Sequence, residues 1–298
     1  MTESGTPEVV AHYRPWAYSR LVGNVRSIAA NDLEQLLRLF ARDPIAHCFV
    51  ESRVHIGGVD PWKLGGEILG YYKDDQLVSA LFSGANLVPI EATPAAIAAF
   101  ADYLRPRLRR SSSMLGRAEE VLGLWRLLEP AWGTARAVRD VQPLMAISSD
   151  GLVEPDPEVR CIRLEELDAY LPAAIDMFTE EIGVSPIAGG NTLAYRSRCA
   201  DLIRTGRSFG RVRDGLVEFK AEVGAVSPFV CQVQGVWVDR SLRGRGISIP
   251  GMAAVVVAAR ARFSPTVSLY VNDFNTPARK AYLAVGFEQV GTFATVLF

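Results

Sequence analysis

The chain has 298 residues, of which 49% are hydrophobic and 22% are charged, and this ordinary globular composition argues against extensive disorder. A formal net charge of −1, from 32 basic and 33 acidic residues, argues against a protein that binds nucleic acid mainly through phosphate contacts. No apolar run approaches the ~18–20 residues of a membrane span, and no secretory signal is visible, so we expect a cytoplasmic protein. The four cysteines are too far apart for a Cys-x-x-Cys metal pair or a dense disulfide framework, and no metal is expected.

The first half of the chain alternates helical and strand patterns after a loose arm over residues 1–23. Apolar residues at helical spacing begin near Asn31, and a Thr93-Pro94 pair predicts the capped start of a second helix. The further elements predicted here are two strands within 68–84, a short strand at 113–115, a helix over 118–128 and a strand over 141–147.

A stretch rich in proline, glycine and acidic residues, Ser148–Glu158, predicts a linker between two domains. After it, a hairpin is predicted about Asp214-Gly215, a pair that favours a two-residue turn. The other predicted elements are strands at 159–163, 229–238, 266–271 and 288–298 and helices at 164–182, 194–205, 248–262 and 275–286.

Both halves end in the same order of helix, strand, helix and strand, which indicates a duplicated architecture. We therefore divide the chain into an arm over residues 1–23, a first domain over 24–150 and a second domain over 151–298. A domain of this length is sufficient to bury its own core.

A basic glycine loop follows directly after the strand that ends at Val238. Gly244 and Gly246 permit positive φ and close approach of a ligand, and Arg243 and Arg245 add positive charge. Unpaired N–H groups at the start of the next helix would favour a phosphate or pyrophosphate there, although a solvated turn is the alternative interpretation. The loop lacks the glycine patterns of the Rossmann and P-loop sites.

Two segments, Val233–Ser248 and Val271–Phe287, together resemble the GNAT superfamily of acetyl-CoA-dependent N-acetyltransferases. The first carries the pattern [Q/R]-x-x-G-x-[G/A], with a serine in the last place, and the second carries N-x-x-[A/S]-x-x-x-Y-x-x-x-G-F. The matching residues are Arg243, Gly246 and Ser248 in the first segment and Asn275, Ala278, Tyr282, Gly286 and Phe287 in the second. The resemblance covers about Val159–Phe298, and the whole chain resembles tandem GNAT-type proteins of actinobacteria.

The resemblance implies an α+β fold in which each of two GNAT-like halves has a mixed, mostly antiparallel central sheet flanked by helices. The first half has no comparable glycine loop. It is therefore interpreted as a degenerate GNAT-like domain without a cofactor site that builds part of the acceptor cleft. His47 and His55 are candidate catalytic residues in that cleft, with a structural or exposed role as the alternative.

The resemblance also implies that acetyl-CoA, or another short acyl-CoA, is the co-substrate. The strand would expose N–H groups near Val236 and Val238 to the pantetheine arm and to the thioester carbonyl, and Tyr282 would protonate the leaving thiolate. A buried packing role is the alternative for Tyr282. The predicted cofactor-binding residues are Val236, Trp237, Val238, Arg243, Gly244, Arg245, Gly246, Ile247, Ser248, Asn275 and Ala278.

The general base is less well specified, because the strand carries Gln232 and Gln234 where a carboxylate is often found in the superfamily. Glu222 on the preceding strand is the predicted base. Glu180 and Glu181, at the end of a predicted helix, are alternatives, and a solvated surface position is the other interpretation of each. An acyl-cysteine intermediate on Cys231 is disfavoured, because a cysteine in a strand is usually a packing residue.

These observations favour an N-acetyltransferase that acts on a primary amine, either a small molecule or a protein lysine or N-terminus, by direct attack in a ternary complex. A CoA-binding sensor or scaffold with little turnover is the alternative. The expected partner is the amine acceptor, with no nucleic acid and no membrane, and the protein is expected to be a monomer or homodimer.

Overall fold

The computed structural model describes residues 24–298, so the predicted arm over residues 1–23 lies outside the described chain. In the first half the strands are β1 Val25–Ser27, β2 Gly66–Lys73, β3 Gln76–Gly84, β4 Asn86–Ile90, β5 Ser113–Arg117 and β6 Ala137–Ile147. The helices of this half are α1 Leu33–Phe40, α2 Pro44–Gly57, α3 Pro61–Leu64, α4 Pro94–Leu104 and α5 Ala118–Trp132.

The second half repeats this alternation. Its strands are β7 Arg160–Cys161, β8 Ser208–Arg213, β9 Leu216–Val226, β10 Val230–Val238, β11 Thr266–Tyr270 and β12 Glu288–Leu297. Its helices are α6 Leu167–Ile182, α7 Thr192–Arg204, α8 Ser248–Arg262 and α9 Thr276–Val285.

Local chemistry explains several of these boundaries. Thr93 caps α4 by accepting a hydrogen bond from the Ala96 N–H, and Pro94 occupies the first turn. Asp214 and Gly215 have φ of 51° and 76°, as the predicted two-residue turn between β8 and β9 requires.

The twelve strands of residues 24–298 form one mixed sheet in the order β1-β2-β3-β4-β5-β12-β6-β11-β10-β9-β8-β7. Most neighbours are antiparallel, and the parallel pairs are β4 with β5 and β10 with β11. Helices cover both faces, so the predicted α+β class with a mixed central sheet is confirmed.

The last strand of each half lies in the sheet of the other half. Strand β12 pairs with β5, strand β6 pairs with β11, and β6 and β12 pair with each other at the centre. A buried hydrogen-bonded chain crosses this seam: Thr295 donates to Gln142 at 2.6 Å, and Gln142 donates to Asn272 at 2.9 Å. The predicted boundary between residues 150 and 151 lies in coil, but strand pairing does not follow it.

Helix α2 provides a second connection between the halves, because it lies over the sheet of the second half. The Cys48 thiol donates a hydrogen bond to the Val230 carbonyl at 3.2 Å, and Ile45 packs against Ala225 and Val230. The second half has two hydrophobic cores, one on each face of the sheet. Helices α8 and α9 pack over one of them, and helices α6 and α7 pack over the other. Within residues 24–298, no helix is long and apolar enough to cross a membrane.

Candidate functional site

Strands β10 and β11 separate along their length. Their pairing covers Val230–Gln232 and Thr266–Ser268, and from Val233 onward β10 has no strand partner on the β11 side among residues 24–298. A parallel pair that opens in this way exposes backbone hydrogen-bonding groups on its inner edges. The opening therefore provides a slot in which an extended ligand can pair with the backbone of Val233–Val238.

A bulge in β10 shapes this slot. The register between β10 and β9 shifts between Gln234 and Trp237, and Gly235 within the bulge has φ of +59°. A Cβ at Gly235 would lie 2.9 Å from Met177 and 3.2 Å from Lys220, so the position requires glycine for both conformation and space. After the bulge, Trp237 packs against the α6 side of the sheet, while Val236 and Val238 pack against the α8 side.

The predicted base, Glu222, is part of a buried network beneath the bulge. It accepts hydrogen bonds from the Tyr170 hydroxyl at 2.7 Å and lies 2.9 Å from Lys220 Nζ, which also donates to the Gly235 carbonyl. Burial opposes ionisation of Glu222, but Lys220 and the Tyr170 hydroxyl hold the pKa of its carboxyl below the ordinary value. A buried, ionised carboxylate that already has two hydrogen-bonding partners is a poor proton acceptor, which favours a role in supporting the bulge. The assignment of Glu222 as the base stays a prediction.

The predicted glycine loop connects β10 to α8 over nine residues, 239–247. Gly244 and Gly246 have φ of +79° and +76°, and a Cβ at either position would meet nothing within 4 Å. Within the described chain, none of the six consecutive backbone N–H groups from Arg243 to Ser248 has a hydrogen-bond acceptor. A run of free donors at the positive end of a 15-residue helix fits a pyrophosphate.

Two arginines of this loop are held by α6. Glu180 accepts hydrogen bonds from Arg240 and Arg243, each at 2.7 Å. Partial burial works against ionisation of Glu180, but these two bonds hold the pKa of its carboxyl below the ordinary value. Both oxygens of the Glu180 carboxylate are therefore engaged by arginines, and these contacts hold the loop against α6. The third arginine of the loop region, Arg245, is exposed.

The second predicted segment places its residues on α9. Asn275 caps this helix by accepting a hydrogen bond from the Ala278 N–H at 3.3 Å, which leaves its exposed side-chain amide nitrogen free among the described residues. Ala278 packs against the core under α8.

Tyr282 lies one helical turn further along α9. It is buried, packs against Phe287, and its hydroxyl has no hydrogen-bond partner within residues 24–298. Burial and the nearby Glu181 carboxylate raise the pKa of Tyr282, so the phenol keeps its proton at neutral pH. A protonated and unengaged hydroxyl agrees with the predicted acid role, which remains a prediction.

Sequence reasoning did not find Tyr270 and Arg139, which the fold brings to the same region. Burial, followed by the Glu181 carboxylate, raises the pKa of Tyr270 to about 12. Arg139 on β6 donates a hydrogen bond to the backbone carbonyl of Glu181. Neither residue belongs to a local motif, so no signal in the sequence connects them with the loop.

The other candidates lie apart from the slot or are engaged elsewhere. Cys231 is fully buried in the core, and burial raises the pKa of its thiol to about 11, which makes it a poor nucleophile. His47 Nε2 lies 3.0 Å from Glu91, and His55 lies 3.6 Å from Glu51, so both histidines have carboxylate partners.

The first half has no counterpart of the glycine loop. Only three residues, 91–93, separate β4 from α4, and the first of them, Glu91, is acidic. An acidic side chain at this position repels an anion, and Thr93 already caps the helix. Within residues 24–298, no group of three or more His, Cys, Asp and Glu side chains is placed to hold a metal ion.

Solved structures with the same fold identify this architecture. A GNAT-family acetyltransferase from Colwellia psychrerythraea is 15% identical, with a TM-score of 0.56 over 92% of this chain and 99% of that one. A GCN5-related N-acetyltransferase from Sphaerobacter thermophilus is 17% identical, with a TM-score of 0.58 over 91% and 94% of the two chains. A tandem GNAT protein from the clavulanic acid biosynthesis pathway is 14% identical, with a TM-score of 0.51 over 91% and 97%.

These similarities confirm the predicted resemblance at the level of the fold: the chain consists of two GNAT-like halves. No curated protein matches the chain significantly. The model of a family described as a domain of unknown function, DUF4081, matches residues 66–170, which run from β2 into α6.

Proposed function

We propose that this GNAT-fold chain is an N-acetyltransferase that moves the acetyl group of acetyl-CoA, or another short acyl group, to a primary amine. The observation that carries the proposal is the run of six N–H groups from Arg243 to Ser248, which have no acceptor in the described part of the chain. This run follows directly after the edge of β10 that has separated from β11. One surface offers a site for a pyrophosphate, and the other offers backbone donors and acceptors to an extended amide-containing arm.

Different residues of the chain would bind different parts of acetyl-CoA. The N–H groups of the loop, with Arg243 and Arg245, would hold the pyrophosphate, and the exposed amide of Asn275 would contact the pantetheine side. The edge of β10 between Val236 and Val238 would orient the thioester and stabilise negative charge that develops on its carbonyl oxygen. Bound acetyl-CoA supplies the activated acyl group and the thiol leaving group.

Tyr282 would then donate its proton to the departing thiolate. A free phenol has a pKa near ~10 and a free thiol near ~8.5, and burial raises the pKa of Tyr282, so the phenol still carries its proton when the thiolate departs. The amine acceptor, a small molecule or a protein lysine or N-terminus, would attack directly in a ternary complex. We propose this reaction for a cytoplasmic protein that acts as a monomer or homodimer.

The test is the release of free thiol from acetyl-CoA in the presence of a panel of primary amines, with product mass measured in parallel. The proposal expects thiol release that depends on the amine and an amine product heavier by one acetyl group. Tight CoA binding without amine-dependent release would overturn the enzyme and leave a CoA-binding sensor or scaffold. Repeating the assay with longer acyl-CoA thioesters measures the acyl preference.

A further inference from the structure

Three glutamates of the second half lie near the slot, and two of them are fully engaged. Glu180 is paired with Arg240 and Arg243, and Glu222 is bonded to Tyr170 and Lys220. Glu181 differs, because its carboxylate accepts no hydrogen bond from the described residues and its side chain is exposed. It is therefore the carboxylate of this group that is free to accept a proton from a ligand.

Glu181 interacts with groups on both faces of the sheet. It ends α6, which packs on the face that carries Lys220 and Glu222, yet its charge reaches Tyr282 on α9, which packs on the opposite face. Met177, one helical turn before Glu181 on α6, lies against the bulge of β10, where a Cβ at Gly235 would be 2.9 Å from its methyl group. The end of α6 that carries Glu181 therefore lies next to the part of β10 that has separated from β11.

Strand β6 fixes the end of α6 in this place. Arg139 donates to the Glu181 carbonyl, and Arg136 donates to the Ile182 carbonyl at 2.9 Å. Cations at the last carbonyls of a helix satisfy acceptors that have no partner within the helix and interact favourably with its dipole. Because β6 belongs to the first half of the sequence, the first half positions a residue of the second half's site.

The geometry points to Glu181 as the general base of the proposed reaction, with Arg139 as the positioning residue that holds it. This inference rests on the proposed function. The base is needed because a primary amine reaches the site as an ammonium ion and must lose a proton before it can attack the thioester.

The step balances without another co-reactant. The Glu181 carboxylate takes one proton from the ammonium group, and the amine nitrogen forms a bond to the acyl carbon. The carbon–sulfur bond then breaks, and the nitrogen loses a second proton to solvent. The thiolate takes the Tyr282 proton, and exchange with solvent returns the Glu181 proton to the bulk and reprotonates Tyr282. The net products are an amide, free thiol and one proton.

Electrostatics are consistent with this role. Although Glu181 is exposed at the surface, partial desolvation by neighbouring protein atoms raises the pKa of its carboxyl above the ordinary value. Arg139 and Lys220 lower this pKa, and the Glu222 carboxylate raises it. The Glu181 charge also raises the pKa values of the Tyr270 and Tyr282 phenols. An exposed carboxylate with a raised pKa is both accessible to an amine and a stronger base than a fully solvated one.

The experiment compares Glu181→Gln with a matched control on the same helix, Asp176→Asn, whose side chain is exposed. We expect Glu181→Gln to lower kcat about 10²-fold, to leave CoA affinity within about twofold, and to abolish the acidic limb of the kcat/KM profile. Glu181→Asp should retain part of the activity and the limb. Asp176→Asn should match the wild type.

Arg139→Gln separates positioning from general stability. Because Arg139 lowers the pKa of Glu181, its loss should move the acidic limb to higher pH, and Arg139→Lys should restore it. An active wild type whose Glu181→Gln variant keeps both its turnover and its acidic limb would overturn this inference alone. A wild type without amine-dependent thiol release would instead overturn the proposed function.

Discussion

Lys220 Nζ lies 2.9 Å from the carbonyl oxygen of Gly235, and Lys220 is completely buried. The contact ties β9 to the bulge of β10, immediately before the strand edge that would bind the acyl donor. The same ammonium group lies 2.9 Å from Glu222, so a buried charge pair is placed under the binding slot. A buried pair of this kind is weak evidence for a net gain in stability, but removal of one partner strongly destabilises the protein because the other charge is left buried and unpaired.

Lys220→Met should therefore destabilise the protein by about 3–5 kcal/mol, because it leaves Glu222 as an uncompensated buried charge. Chemical denaturation at pH 7 measures the loss. The exposed Lys73→Met variant is the control and should unfold like the wild type. The double variant Lys220→Met, Glu222→Leu should recover most of the loss, and a single variant as stable as the wild type would contradict the proposed network.

Gly246→Asp should weaken CoA binding more than tenfold. The position has φ of +76°, which strains any side chain, and the new carboxylate would face the pyrophosphate at the helix start. Arg243→Glu should have an effect of similar size, because it also replaces the partner of Glu180 with a like charge. Calorimetric titration with CoA measures both affinities, and unchanged binding in both variants would exclude this loop as the pyrophosphate site.

Tyr282→Phe should lower turnover by about 10²-fold with little change in CoA affinity, because it removes the proton donor and keeps the packed ring. Tyr103→Phe, a buried tyrosine of the first half, is a control for the loss of a hydroxyl. Steady-state thiol release gives kcat, and titration gives the affinity. Full activity of Tyr282→Phe would leave this residue with a packing role.

Glu120 predicts a pH-dependent stability in the first half. Burial raises the pKa of its carboxyl to about 7, and one of its oxygens is buried without a hydrogen-bond partner. Because the folded pKa exceeds the unfolded one, the protein should lose stability as pH rises from about 4.5 to about 7.

Glu120→Gln should remove that decline. Its Tm should exceed that of the wild type at pH 8, by the equivalent of up to about 3 kcal/mol, and should approach it near pH 4.5. Exposed Glu119→Gln on the same helix is the control. An equal difference between Glu120→Gln and the wild type at both pH values would refute the shifted titration.

The exchange of β6 and β12 predicts that residues 151–298 do not fold alone. The isolated segment lacks the strand that pairs with β11 and exposes the edge of β12 that pairs with β5. We expect it to be insoluble or to lack cooperative unfolding when expressed alone, and to be rescued by co-expression of residues 24–150. A monomeric fragment with a sharp thermal transition would show that the halves are independent.

Two elements of the first half, α2 and β4, could not be predicted from the sequence. Helix α2 was not predicted, because it is packed against both halves and buries residues around its circumference instead of one apolar stripe. Strand β4 is only five residues long and contains Pro89, so its pattern is too short to separate from the adjacent loop.

The glycine loop and the Asn275–Phe287 segment could be recognised from the sequence because each depends on spacings within a short stretch, and their resemblance to the GNAT superfamily then implied the fold. The contacts of Glu222 with Lys220 and Tyr170, and the hydrogen bond from Arg139 of the first half to the end of α6, became visible in the three-dimensional structure. Those relationships depend on which distant strands become neighbours. Alternating apolar residues specify the faces of a strand but not its partners, so the exchange of β6 and β12 cannot be read from either strand alone.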